Sequence, residues 1–189
     1  MKSDQTKWDK IYANEKHPSS PSPVVTAFSH FANIGTAADI AAGNGRNANY
    51  LAKEGFTVDA IDISEVGLNI AEKGDPKIRP IRQDLDYYIM EYGRYDLIVN
   101  VNFLNRRLFP YIVNALKPKG VLIFQTFLWD QAFSKGKSQL PNDHYLLPNE
   151  LLHTFLTLHV HHYSEEECDK PRGDRKKTAT LIAQRRQML

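Results

Sequence analysis

The sequence predicts a doubly wound α/β fold, a mostly parallel seven-stranded sheet with helices on both faces. Three observations carry this. Short apolar runs alternate with helical patterns from Thr36 onward, as repeated strand–helix units require. The run GVLIFQTF (120–127) is almost continuously apolar, the pattern of a strand covered on both sides. Finally, LHVHHY (158–163) and TATLIA (178–183) are joined by a polar stretch too short and irregular for a crossover helix. They read as a hairpin, so the last strand is expected to enter the sheet antiparallel.

The elements follow in order. An opening helix holds Trp8 and Tyr12, and the prolines of HPSSPSP (17–23) end it and start a second helix. In that second helix Val24, Val25, Phe28, Phe31 and Ala32 share one face. TAADIA (36–41) is the first strand. The helix from Arg46 to Glu54 buries Ala48, Leu51 and Ala52, and Gly55 closes it. TVDAID (57–62) is the second strand, after which Ser64 caps a helix expected to turn Val66 and Ile70 inward. Arg79–Gln83 is the third strand and YDLIVNV (95–101) the fourth. Leu108, Tyr111, Ile112, Ala115 and Leu116 mark the next helix face, closed by a turn at KPKG.

At 189 residues the chain reads as a single domain, with residues 1–33 as a helical N-terminal lid and 34–189 as the core. A net charge of +2 provides no global field for nucleic acid or anionic lipid, so neither partner is expected. Cys168 is the sole cysteine, which excludes an internal disulfide and a thiolate metal cage and suits a reducing compartment. The opening residues MKSDQTKWDKIY lack an apolar stretch, and no run approaches the ~20 apolar residues of a membrane span. The expectation is a cytoplasmic protein, monomer or homodimer, with no membrane partner.

The chemistry centres on DIAAGNGRNA (39–48). Gly43 and Gly45 lie between a strand and a helix, where the chain must turn sharply and free helical N–H groups point toward a ligand. Alone, this matches the dinucleotide fingerprint, with Asp62 placed 19 residues after Gly43 to bind a ribose. NAD and S-adenosylmethionine (SAM) are both compatible at this level. Three features favour SAM. Asp39, four residues before Gly43, suits a cationic ammonium or sulfonium and would repel a pyrophosphate. Asp84 in RQDLD follows the third strand, where an acceptor can take an adenine amino group. The terminal hairpin also departs from an all-parallel dinucleotide fold.

With these residues the chain resembles the class I SAM-dependent methyltransferases, a Rossmann-like family, and within them the tellurite-resistance and thiopurine-type group. The resemblance runs through WDKIY, DIAAGNGRNA, VDAIDIS, QDLD, YDLIVNVNFLNRRLFPYIVNALKPKGVLIFQTF and LLPNELL. It implies that Asp39, Ala41 and Gly43, with Asn44 and Gly45 of the same turn, hold the methionine part of SAM. It implies further that Asp62 binds the ribose, Ile63 packs on adenine, Asp84 and Leu85 hold the adenine edge, and Asn100 sits beside the sulfonium. Tyr12 of the lid joins this cofactor set. Ala41 departs from the pattern, because the family usually has glycine there.

Methyl transfer from SAM needs alignment and exclusion of water rather than a metal or a nucleophilic side chain. The expected acceptor is a small molecule, with a soft nucleophile such as a thiol, selenium or tellurium species preferred by resemblance. Candidate acceptor-site residues lie after the strand ends: Asn102, Arg106 and Arg107, then Phe127 and Trp129, with His17 from the lid and His144 and Tyr145. Of these, Asn102, Arg106 and His144 are the candidate catalytic set. The alternatives are a non-catalytic SAM-binding regulatory module and an NAD-dependent oxidoreductase. His159, His161 and His162 lack a carboxylate or thiolate placed to complete a metal site, so no metal is expected. EEECDKPRGDRKK reads as a solvated hairpin tip.

Overall fold

A computed structural model describes residues 2–14, 18–129, 144–169 and 175–187. In chain order the elements are helix α1 (Lys2–Asn14), helix α2 (Pro23–Phe28), strand β1 (Thr36–Ile40), helix α3 (Arg46–Lys53) and strand β2 (Thr57–Asp62). Helix α4 (Glu65–Glu72), strand β3 (Ile78–Arg82), strand β4 (Tyr95–Val101), helix α5 (Phe109–Ala115) and strand β5 (Leu116–Leu128) follow. Helix α6 (Glu150–Thr154), strand β6 (His159–Asp169) and strand β7 (Arg175–Gln184) complete the fold. Single 3₁₀ turns at Ser29–Phe31 and Arg106–Leu108 flank α2 and α5.

The strands form one seven-stranded sheet in the order β3-β2-β1-β4-β5-β7-β6. The first five are mutually parallel, and β7 runs antiparallel to both β5 and β6. The expected hairpin and reversed last strand are therefore present. Winding goes outward from β1 in both directions, so the chain reverses between β1 and β4. Crossovers of one hand then place their helices on opposite faces. Val24, Val25, Leu51 and Leu68 build the core under α2, α3 and α4, together with Val58, Leu97 and Ile123 of the sheet. Ile112, Leu151 and Phe155 build the other under α5 and α6, with Ile61, Ile98 and Phe124. Phe109, Phe124 and Phe155 meet there with ring centroids 5.4–5.9 Å apart.

Several local expectations are corrected. In α4 the buried residues are Gly67, Leu68 and Ala71, while Ile70 is exposed and Val66 only half-buried. The helix starts at Glu65, so its inward face is set by Leu68 and Ala71 at i, i+3 spacing. Phe31 is exposed because the 3₁₀ turn at Ser29–Phe31 rotates it off the α2 face. Leu116 belongs to β5, and KPKG lies within that strand, with Lys119 at φ 66° and a register shift opposite Tyr95–Leu97. A bulge carries the chain where a turn was expected.

One charge is buried in the sheet itself. Asp59 of β2 is fully enclosed, 2.7 Å from Arg79 and 3.0 Å from Arg94, and it accepts the Tyr95 hydroxyl at 3.0 Å. Those partners come from β3 and from the start of β4, and they replace the solvation that the carboxylate loses. No described helix is long and apolar enough to cross a membrane. His17 and the tip of the β6–β7 hairpin lie outside the described residues.

Candidate functional site

In a sheet wound both ways, the carboxyl ends of β1 and β4 open into a crevice, because their following segments diverge to opposite faces. Ile40 is in register with Ile61 and with Asn100, so the segments after β1, β2 and β4 start level with one another. After β1 the chain enters DIAAGNGRNA as a tight turn. Ala42 N–H donates to the Ile61 carbonyl at 3.1 Å, and Gly43 N–H donates to Asp62 Oδ2 at 2.8 Å. Asp62 Oδ1 accepts from Ser64 N–H at 2.8 Å. One carboxylate thus holds the turn and the entry to α4 together.

Three residues of the turn have left-handed backbone: Ala41 at φ 54°, Gly43 at 57° and Gly45 at 74°. Gly45 caps α3, and a Cβ there would stand 2.3 Å from Ala71 Cβ, so glycine lets α3 and α4 approach closely. A Cβ at Gly43 would stand 2.3 Å from the Tyr12 hydroxyl. The space that glycine clears over the turn is therefore taken by the lid. Ala41 adopts the same conformation with a methyl group in place, at a cost of about 1–2 kcal/mol relative to a right-handed residue.

The N-terminal segment is fastened at three places. Ser64 Oγ donates to Asp9 Oδ1 at 2.7 Å while accepting from Gly67 N–H, and Val66 N–H also donates to Asp9. Asn44 Nδ2 donates to the Pro18 carbonyl at 3.2 Å. Ser22 N–H donates to Asn47 Oδ1 at 2.9 Å in the interior. Asp9 thereby serves as a second acceptor at the α4 N-terminus, supplied from 55 residues away. Neither Asp9 nor Ser22 was identifiable as a tether in the sequence, since no local pattern links them to α4 or α3.

The acids differ sharply in environment. Asp39 is enclosed at the end of β1, and its Oδ2 accepts from Ala48 N–H at 3.1 Å. Burial pushes its carboxyl up to about 7, against the Ala48 N–H and nearby Arg46. Burial also raises Asp62, despite the N–H donors of Ser64 and Gly43. The Tyr12 hydroxyl is pushed up to about 12 by burial and then by Asp62, so it stays a donor at neutral pH. Asp84, beyond β3, is lowered by the Asp86 N–H that it accepts at 3.0 Å. Leu85 beside it is buried and Ile63 half-buried.

After β4, Asn100 is buried and donates to the Phe103 carbonyl at 2.8 Å, while Asn102 is exposed at φ 60°. Arg106 makes a two-pronged pair with Glu150, at 2.6 and 2.8 Å, and donates to the Tyr145 carbonyl at 2.9 Å. Burial opposes the Glu150 charge, but Arg106 and the Leu147 N–H outweigh it and hold the carboxyl below its usual range. Arg107 lies over the Tyr111 ring at 5.3 Å. Phe127 and Tyr145 face each other at 6.5 Å, and Trp129 N–H donates to the Leu146 carbonyl. His144 is exposed next to Tyr145.

Comparisons with known proteins fit this geometry. Residues 37–120 match the family model of the methyltransferase domain. The candidate methyltransferase YqeM of Bacillus subtilis (strain 168) is 32% identical over 98 residues, 46% of this chain, and the chain spans only 40% of that relative's length. TehB from Haemophilus influenzae superposes with a TM-score of 0.77 at 18% identity, over 95% of this chain and 67% of that one. A 1,6-didemethyltoxoflavin-N1-methyltransferase from Burkholderia thailandensis, with bound 1,6-didemethyltoxoflavin and S-adenosylhomocysteine, gives 0.69 at 16% identity, over 98% and 85%. The fold is the one that these methyltransferase structures share, as the sequence resemblance implied.

Two outcomes are expected from the strain and the buried charge. Ala41→Gly should raise stability by about 0.5–1 kcal/mol, since relief of the left-handed methyl exceeds the added entropy of the unfolded chain. A lower urea midpoint would contradict this. Asp39 holds its proton in the folded chain up to about 7 against 3.8 as its ordinary value. The folded state therefore binds more protons between those values, and stability falls as pH rises through that window. Asp39→Asn should make the decline shallower in urea titrations at pH 4.5 and 7.5.

Proposed function

We propose that this chain, which carries the fold and the domain signature of class I SAM-dependent methyltransferases, transfers a methyl group from SAM to a small-molecule acceptor. The observation that carries the proposal is the pair of buried acids, Asp39 and Asp62, on either side of the glycine turn. Both are held above the usual carboxylate range by burial, with Arg46 the basic group that acts on Asp39. A buried acid of this kind favours a cationic ligand, which replaces the lost solvation. A pyrophosphate would instead oppose ionisation of both acids. The donor set therefore fits SAM and disfavours NAD.

In this reading Asp39 and the turn from Ala41 through Asn44 and Gly45 hold the amino-acid end. Each Asp62 oxygen accepts one backbone N–H and keeps a lone pair for a ribose hydroxyl. Ile63, Asp84 and Leu85 frame the adenine, and Asn100 stands at the sulfonium. Tyr12, protonated above Gly43, donates toward the carboxylate end and closes the crevice to water. When bound, SAM supplies a methyl group on a positively charged sulfur and departs as S-adenosylhomocysteine. Asn102, Arg106 and His144 belong to the acceptor end, where Arg106 works by ordering the segment at Tyr145 and Glu150. For a soft anionic acceptor such as a thiolate, selenolate or reduced tellurium species, alignment suffices and no general base is needed.

The test is release of S-adenosylhomocysteine across thiols, selenite, tellurite and thiopurines, run beside Asp62→Asn. Turnover with at least one soft acceptor is expected, with the SAM KM rising about 10- to 100-fold in the variant from loss of one charge-assisted bond. Silence across the panel with SAM bound would reject the catalytic reading in favour of a SAM-binding module. Turnover with small phenols or amines added to the panel, and with none of the soft acceptors, would reject the soft-nucleophile assignment alone.

A further inference from the structure

Strand β6 ends the sheet, and among the described residues it pairs only with β7. An open edge of 11 residues is a template for another strand unless its charges repel every approach. Here the charge is divided. HVHHYSEEECD carries three histidines before Ser164 and three glutamates with an aspartate after it. We propose that this edge docks against the same edge of a second copy, antiparallel about a two-fold axis at Ser164, joining two sheets into one.

That register sets His162 opposite Glu166 and Tyr163 opposite Glu165, with His161 next in line beside Glu167. Sliding the strands by two residues either way loses at least one of the two histidine–acid pairs, and sliding by one sets residues of opposite faces against each other. Opposed residues differ by an even number, so regular partners emerge on the same face. An imidazole N–H donates to a carboxylate whether the ring is neutral or charged. Within the chain Glu166 is opposite neutral Thr178, whereas Glu167 already faces Lys177. The pairing is isologous, as a closed homodimer requires.

Apolar surface beside the edge adds to the fit. His162 stacks on Phe28 at 5.2 Å, and the exposed Phe31 lies 5.1 Å from His161. Leu156, also exposed, lies three residues before β6. The bulge between Val160 and His162 restricts regular ladder bonding to the stretch from His162 onward. A modest association follows, in the range of tens of micromolar.

Sedimentation velocity on the full chain tests this. The native protein should dimerise, while E166K/E167K and H161E/H162E should each dissociate at least about 10-fold more readily. An equimolar mixture of the two variants should recover the dimer, because lysines then face glutamates and histidines face the remaining native glutamates. Glu166 and Glu167 are exposed, so E166K/E167K is expected to stay folded with a small fall in melting temperature from Lys177 opposite position 167, and it carries the test should the histidine variant fail to fold. A native protein still monomeric at about 500 µM would overturn the proposal. So would a dimer indifferent to E166K/E167K, or a mixture of folded variants that stays monomeric.

Discussion

The bond from the Gly43 amide to the Asp62 carboxylate is the constraint on which the site depends. It closes the turn after β1 onto the end of β2, and the other oxygen of the same group receives the Ser64 amide. Ser64 in turn caps α4 and reaches Asp9 of the lid. One buried side chain thereby orders the turn, the start of a helix and the position of α1. The arrangement costs desolvation of a carboxylate, partly offset by charge-assisted hydrogen bonds from two backbone donors.

The same acid stands one strand away from the point where the winding of the sheet reverses, between β1 and β4. Register across β2, β1 and β4 brings Asp62, Asp39 and Asn100 to one end of the sheet, although they are far apart in sequence. Glycine at 43 and 45 has a different meaning at each position: the first leaves room for Tyr12, the second for Ala71. Helix α1 is thus packed into the turn rather than laid across it. The tethers at Asp9, Pro18 and Ser22 make the crevice a product of the first 22 residues as much as of the strands.

Much of this was legible in the residues. TVDAID and YDLIVNV match their strands end for end, because covered parallel strands read as apolar runs bounded by turns. The reversed last strand followed from a connection too short for a crossover. Ala41 stood out against glycine, and its φ of 54° shows why that substitution matters. Less was legible where two distant segments decide the outcome. Arg106 read as a cation for an anionic acceptor, yet it is matched by Glu150, 44 residues on, which no periodicity reveals. The inward face of α4 was misplaced because Ile70 is apolar but turned to solvent. KPKG read as a turn because a bulge and a turn use the same residue types.

Calorimetric titration of the full chain with SAM, S-adenosylhomocysteine and NAD under one buffer condition addresses the central claim directly. Two buried acids astride the glycine turn require that SAM and S-adenosylhomocysteine bind, and that NAD give no saturable heat at the same concentrations. Saturable binding of NAD with no response to the other two would contradict the account.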